Sequence, residues 1–197
     1  MCVCEQLLLQ KTWELKLNWK ADVDSVTKDE FLKWMRDIFL LEKVRIPRLV
    51  KRMRNILCIF FSDASMYANV AVAFLRVETS ERVKVQLLCA KSRVSPTGKK
   101  KTTIAGLELL LTTITARLAS SINREIPHEE IYFWSDSTTV ITWIKREGAY
   151  GTFVQNRVSE IETLTSKVNW RRAWFVKPCR SLKKRLFCEE IDTVLKV

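Results

Sequence analysis

The fold is decided by the stretch from Asn55 to Ser65, which reads Asn-Ile-Leu-Cys-Ile-Phe-Phe-Ser-Asp-Ala-Ser. Its first seven residues form an almost continuous apolar run, which is typical of a central strand buried on both faces of a sheet. The polar residues Ser62 and Asp63 follow this run directly. We therefore expect the central strand of a sheet to carry Asp63 at its carboxyl-terminal end.

Hydrophobic periodicity on the carboxyl-terminal side of this stretch predicts the remaining elements. The predicted strands lie at 70–75, 83–89, 131–135 and 168–176, and the predicted helices at 105–123, 137–146 and 152–165. Three strands joined by short turns form an antiparallel meander, and a crossover helix then leads to a parallel strand. The sequence therefore predicts an α/β fold with a mixed five-stranded sheet and helices on both faces.

The amino-terminal part of the chain has a different pattern. A helix is predicted from Thr27 to Leu41, with Ser25 or Thr27 as its N-cap. We expect residues 1–52 to form a helical connection segment, residues 53–175 the α/β domain, and residues 176–197 a basic tail.

Two similar tetrapeptides each follow a hydrophobic strand: Ser62-Asp-Ala-Ser65 and Ser135-Asp-Ser-Thr138. If their strands are parallel neighbours, Asp63 and Asp136 meet at the edge where open sheets bind ligands. Glu108 lies near the start of the crossover helix, close to the same edge. Three clustered carboxylates repel one another unless a cation lies between them, and oxygen ligands favour Mg²⁺ or Mn²⁺. Two such ions, about 3.5–4 Å apart, would suit phosphodiester hydrolysis.

Each acid also has a structural explanation. Asp136, like the two residues after it, suits the N-cap of a helix, and Asp63 suits a turn. Glu108 can be an ordinary acid on a helix face. The strand order, the repeated tetrapeptide and the helix glutamate together favour the metal site.

The chain carries a net charge of +12, which favours a polyanionic partner, with nucleic acid as the first candidate. The predicted phosphate contacts are Lys99, Lys100, Lys101, Arg171 and Arg172. The alternative for these residues is a solvated charge run without a partner.

The cysteines and the hydropathy exclude other classes of protein. No Cys-x-x-Cys pair occurs among the 6 cysteines, and with 1 histidine a zinc site is not supported. Cys58 and Cys89 are interpreted as buried thiols of a reduced intracellular protein, in cytoplasm or nucleus. No apolar stretch approaches the roughly 20 residues of a membrane span, and we expect neither a membrane partner nor a small-molecule cofactor.

Several motifs occur in an order that resembles a known family. They are Phe61-Ser-Asp-Ala-Ser65, Ala90-Lys-Ser-Arg-Val-Ser-Pro96, Leu107-Glu-Leu109, Trp134-Ser-Asp-Ser-Thr138 and Phe153-Val-Gln-Asn-Arg-Val-Ser-Glu-Ile161. Together they resemble the ribonuclease H-like region that follows the reverse transcriptase in Bel/Pao retrotransposon polyproteins. The resemblance covers roughly residues 13–172.

The resemblance implies hydrolysis of the RNA strand of an RNA–DNA hybrid, with the reverse transcriptase portion of the same polyprotein as a partner. It also implies that Asp63, Glu108 and Asp136 are the catalytic, metal-binding acids. The region is also catalogued as a Pao retrotransposon peptidase, but no Asp-Thr-Gly or Asp-Ser-Gly motif occurs, so we do not favour proteolysis.

The chain departs from the family pattern in two places. Ala105-Gly106 replaces the usual Pro-Arg before Leu-Glu-Leu. After Trp170-Arg-Arg172 the segment with the family's fourth acid is missing, and the remaining downstream acids are Glu189, Glu190 and Asp192. Three hypotheses follow: a metal-dependent hybrid nuclease, a nucleic-acid-binding remnant of the polyprotein without turnover, or a polyprotein fragment with no independent function.

Overall fold

A computed structural model describes residues 3–18, 20–43, 56–78, 80, 83–95, 103–126 and 128–173. Within these residues, no helix is both long and apolar enough to cross a membrane. The predicted tail at 176–197 and the lysines at 99–101 lie outside the described residues. The predicted division into three segments stays a prediction.

Within the described residues, five strands form one sheet in the order β3-β2-β1-β4-β5. The strands are β1 (Ile56–Ala64), β2 (Ala68–Glu78), β3 (Val83–Val94), β4 (Glu130–Ser135) and β5 (Trp170–Arg172). Strands β1, β2 and β3 pair antiparallel, whereas β4 pairs parallel with both β1 and β5. The predicted mixed five-stranded sheet is therefore confirmed, with the apolar run of β1 at its centre.

In the part of the chain that the structure describes, five α-helices accompany the sheet. They are α1 (Val3–Glu14), α2 (Ser25–Ile38), α3 (Ile104–Glu125), α4 (Thr138–Lys145) and α5 (Thr152–Leu164). Short 3₁₀ turns follow α2 at Phe39–Lys43 and precede β5 at Lys167–Asn169. The first helix touches the end of β3, where the Gln10 amide donates to the Ser95 carbonyl at 2.9 Å.

The core lies between α3 and one face of the sheet, and it also takes in α4 and α5. At its centre, the Phe133 ring stacks on Phe60 and on Trp170 with centroid separations of 5.2 and 4.4 Å. All three rings are fully buried. The indole N–H of Trp170 donates to the Thr165 hydroxyl at 2.9 Å, so the buried ring leaves its polar atom satisfied. The short strand β5 is thereby fixed to the sheet.

Several element boundaries differ from the predicted ones. Helix α2 begins at Ser25 because the Asp24 carboxylate accepts the Thr27 N–H at 3.0 Å, so neither predicted N-cap residue caps the helix. Strand β1 continues past its apolar run because the ladder to β2 runs on through Asp63 and Ala64. Strand β5 begins at Trp170, since a 3₁₀ turn occupies the start of the predicted strand.

The structure also shows the surroundings of Gly106 and of the two cysteines that the sequence analysis singled out. Gly106 lies in the first turn of α3, where its buried N–H donates to the capping hydroxyl of Thr103 at 3.2 Å. The helix therefore begins normally without the family's Pro-Arg. Cys58 is buried as predicted, whereas Cys89 is only half-buried because β3 is the edge strand.

Candidate active site

The sheet brings the two aspartates to the same edge. Ser62 of β1 and Ser135 of β4 are register partners in the parallel ladder. Asp63 and Asp136 each follow one of these serines directly, so they lie at the same level on adjacent strands. Asp63 is still within β1, while Asp136 is the first residue after β4. Both residues are exposed by surface area, although neighbouring protein atoms partly desolvate the Asp63 carboxylate.

Glu108 reaches this edge from α3. It is the fifth residue of the helix and is half-buried. Its Oε2 accepts a hydrogen bond from the Ser137 hydroxyl, which lies one residue after Asp136. The amino-terminal part of α3 is therefore tied to the segment that follows β4.

The pKa values of two of the three acids are raised above their ordinary values. Burial first, and then repulsion from Asp136, raise the pKa of Asp63 above its ordinary value. Burial also raises the pKa of Glu108, the hydrogen bond from Ser137 opposes that rise, and repulsion from Asp136 and Asp63 adds to it. The negative charge of Asp136 therefore acts on both of the other acids, and that of Asp63 acts on Glu108.

Buried serines lie beneath the acids. Ser62, Ser135 and Ser137 are 6%, 3% and 5% exposed. The Ser135 hydroxyl accepts the Ser137 N–H at 3.3 Å, and the Ser137 hydroxyl accepts the Val140 N–H at 3.3 Å as the N-cap of α4. The sequence analysis used the tetrapeptides only to place the aspartates, and it did not predict that the Ser137 hydroxyl would donate to Glu108.

The donor set can be compared with the needs of a metal ion. Among the described residues, no group of three or more His, Cys, Asp or Glu side chains is arranged to hold a metal ion. The chemistry of Asp63, Glu108 and Asp136 nevertheless fits a hard divalent cation, since all their donor atoms are carboxylate oxygens. Asp63 and Asp136 are exposed, so their side chains have room to turn toward such an ion.

The two predicted basic residues within the described part of the chain lie on β5. Arg172 is the register partner of Ser135, which places it one strand away from the acids at the same level. The Arg171 guanidinium lies 4.1 Å from the centre of the Tyr132 ring, an arrangement typical of a cation–π contact. Arg172 is therefore near the site, whereas Arg171 packs on β4.

Comparison with solved structures gives distant similarities to ribonuclease H proteins. The N-terminal RNase H domain of a Mycobacterium tuberculosis protein is 12% identical over 64% of this chain and 85% of that chain, with a TM-score of 0.39. RNase H1 from the archaeon Halobacterium salinarum is 9% identical over 60% of this chain and 83% of that chain, with a TM-score of 0.36. A foamy viral protease-reverse transcriptase in complex with dsDNA is 9% identical over 87% of this chain and 35% of that chain, with a TM-score of 0.40.

The chain matches no curated protein sequence. In contrast, the sequence model of a family described as "Pao retrotransposon-like RNaseH-like domain" matches residues 1–137. The match covers well over half of the chain and includes Asp63, Glu108 and Asp136. It agrees with the motifs quoted from the sequence and with the topology of the sheet. The chain therefore belongs to the Pao retrotransposon-like RNaseH-like domain family.

Proposed function

We propose that this retrotransposon ribonuclease H-like domain hydrolyses the RNA strand of an RNA–DNA hybrid in a reaction that depends on Mg²⁺ or Mn²⁺. The observation that carries the proposal is the position of the three acids. Asp63, Glu108 and Asp136 come from β1, α3 and the end of β4, and their charges act on one another at one edge of the sheet. A fold gains no stability from placing like charges together, so a function for the cluster is the better explanation.

In this proposal, Asp63, Glu108 and Asp136 hold the divalent ions. When bound, the ions supply Lewis acidity for the attack of water and for the departure of the ribose oxygen. The chain's own residues hold the negative charge in place, and the parallel ladder that pairs Ser62 with Ser135 keeps the two strand ends at the same level.

Basic side chains would hold the nucleic acid. The net charge of +12 favours binding to a phosphate backbone, and Arg172 lies at the level of the acids. Lys99, Lys100 and Lys101 remain proposed contacts. The proposed partners are an RNA–DNA hybrid and the reverse transcriptase portion of the same polyprotein, and the proposed location is intracellular.

A second candidate function is binding of nucleic acid without turnover. Two points favour it: the described residues contain no group already arranged to hold a metal ion, and the sequence after Arg172 lacks the segment that, by the resemblance, would carry a fourth acid. The strong positive charge is unchanged in this alternative. Binding and cleavage must therefore be measured separately.

The test is cleavage of a labelled RNA–DNA hybrid by the full chain with Mg²⁺ or Mn²⁺, beside binding measured by fluorescence anisotropy. We expect the wild type to cut the RNA strand, and Asp63→Asn and Asp136→Asn to abolish cutting. A matched control is Glu147→Gln, which removes an exposed acid from the loop after α4. If the wild type binds the hybrid normally and leaves it uncut with both metals, the nuclease proposal is wrong and the binding alternative stands.

A further inference from the structure

Ser137 makes two connections from a buried position. It is 5% exposed and stands directly between Asp136 and the first turn of α4. Its hydroxyl accepts the Val140 N–H at 3.3 Å and donates to Oε2 of Glu108, which is 29 positions away along the chain. One side chain therefore joins the start of α4 to α3.

The Ser137 hydroxyl donates one of these hydrogen bonds and accepts the other. A serine hydroxyl has one proton to donate and two lone pairs that accept. At Ser137 the proton goes to Glu108, while the helix N–H of Val140 occupies a lone pair. Ser137 thus holds the Glu108 carboxylate through Oε2. Within the described residues, Oε1 makes no hydrogen bond.

Capping α4 explains only part of this geometry. An N-cap needs an acceptor for a helix N–H, and it does not need a carboxylate partner. Thr103 caps α3 through the same kind of hydroxyl, and within the described residues it makes no hydrogen bond to a carboxylate. The donation to Glu108 therefore needs an explanation of its own.

We propose that Ser137 is a positioning residue, which fixes the Glu108 carboxylate beside Asp136 so that the two can share a divalent ion. The inference rests on the proposed function, because it concerns the same acids. Residues that hydrogen-bond to metal ligands typically contribute about 10- to 100-fold to metal affinity. We expect the same of the Ser137 hydroxyl.

Three substitutions of Ser137 separate its role as the cap of α4 from its proposed role in holding Glu108. Ser137→Gly removes the hydroxyl but largely preserves the helix cap, since glycine is a good N-cap residue. Ser137→Thr keeps the hydroxyl, and Ser137→Ala removes both the hydroxyl and the cap. Asp24→Ala is the matched control, because it removes a helix cap at α2.

The experiment is a titration of each full-length variant with Mn²⁺, without nucleic acid, followed by electron paramagnetic resonance of the free ion. Circular dichroism shows that each variant is folded. We expect Ser137→Gly and Ser137→Ala to bind Mn²⁺ about tenfold or more weakly than the wild type. Ser137→Thr and Asp24→Ala should bind it as the wild type does.

A Ser137→Gly variant that binds Mn²⁺ as tightly as the wild type would overturn the inference, because the serine would then be a cap alone. Equal loss in Asp24→Ala would also overturn it, since general destabilisation would then explain the effect. If the wild type binds no Mn²⁺, the proposed metal-dependent function fails instead, which is a different result. In a cleavage assay, loss of the hydroxyl should lower kcat and leave the KM for the hybrid unchanged.

Discussion

Replacing Asp63 by asparagine should change the stability of the protein in opposite directions without and with a divalent metal. In the absence of metal, the charge of Asp63 is unfavourable: its pKa is raised by burial and by repulsion from Asp136. Asp63→Asn removes this repulsion and the weaker repulsion with Glu108. Because Asp63 is exposed, each like-charge contact is worth only a few tenths of a kcal/mol. We expect Asp63→Asn to raise the free energy of unfolding by about 0.5 kcal/mol in EDTA at low salt.

The pH dependence follows from the direction of the shift. A carboxyl group with a raised pKa in the folded state binds its proton more tightly there than in the unfolded chain. Ionised Asp63 therefore destabilises the fold at neutral pH, and this cost disappears below the unfolded pKa of about 4. The advantage of Asp63→Asn should vanish at that pH and shrink in high salt.

With metal the sign should reverse. A ligand at tenfold excess over its dissociation constant stabilises the folded state by about 1.4 kcal/mol, and the variant would lose most of that gain. The assay is urea denaturation in EDTA and in Mg²⁺, with Glu147→Gln as a control for removal of one exposed acid. An Asp63→Asn variant that is equally destabilised in EDTA and in Mg²⁺ would refute the reasoning, because Asp63 would then have a structural role.

Three further predictions concern the core and the surface. Trp170→Ala should lower the free energy of unfolding by about 3–5 kcal/mol in urea denaturation, because it removes the ring that stacks on Phe133. Trp170→Phe should lower it by about 1 kcal/mol, because it removes the hydrogen bond to Thr165. Equal losses in the two variants would contradict a stabilising role of the stacking. Burial raises the pKa of Cys58 to about 12, so peptide mass spectrometry should find iodoacetamide labelling of this thiol at pH 8 only after unfolding. Its rapid labelling in the folded protein would contradict the burial. Glu160→Gln should cost under about 1 kcal/mol at neutral pH, because two arginines lower the pKa of Glu160 and stabilise its ionised form. That cost should disappear as the pH falls through the lowered pKa, and a pH-independent cost would contradict the ion pairs.

The topology and the meeting of Asp63 with Asp136 were predictable from the sequence, for a local reason. Both acids follow hydrophobic strands in similar tetrapeptides. Because those strands pair in parallel, the two acids lie at the same edge of the sheet. The environment of Glu108 was not predictable, because its hydrogen bond to Ser137 joins residues that only the folded chain brings together. That these acids bind metal stays a prediction.

The misplaced boundaries have equally local causes. Asp24, Ser25 and Thr27 are all good N-cap residues, so the sequence could not decide among them. Strand β5 was predicted longer because its apolar pattern starts before Trp170, within what is a 3₁₀ turn. The family match ends at residue 137, yet Trp170 is fully buried in the core. A fragment that ends at the limit of the match would therefore lack part of the domain's interior.

The parallel ladder between β1 and β4 has a consequence for the order of folding. Its members are far apart in the chain: Ser62 and Trp134, joined across it by a hydrogen bond, are separated by 72 positions. The β1–β2 and β2–β3 hairpins close short loops, whereas this ladder must first close a long one, which makes it slow to form. Asp63 and Asp136 can meet only when that closure is complete. During synthesis, the two aspartates therefore stay separated until β4 has left the ribosome, and a half-made chain lacks the acidic cluster.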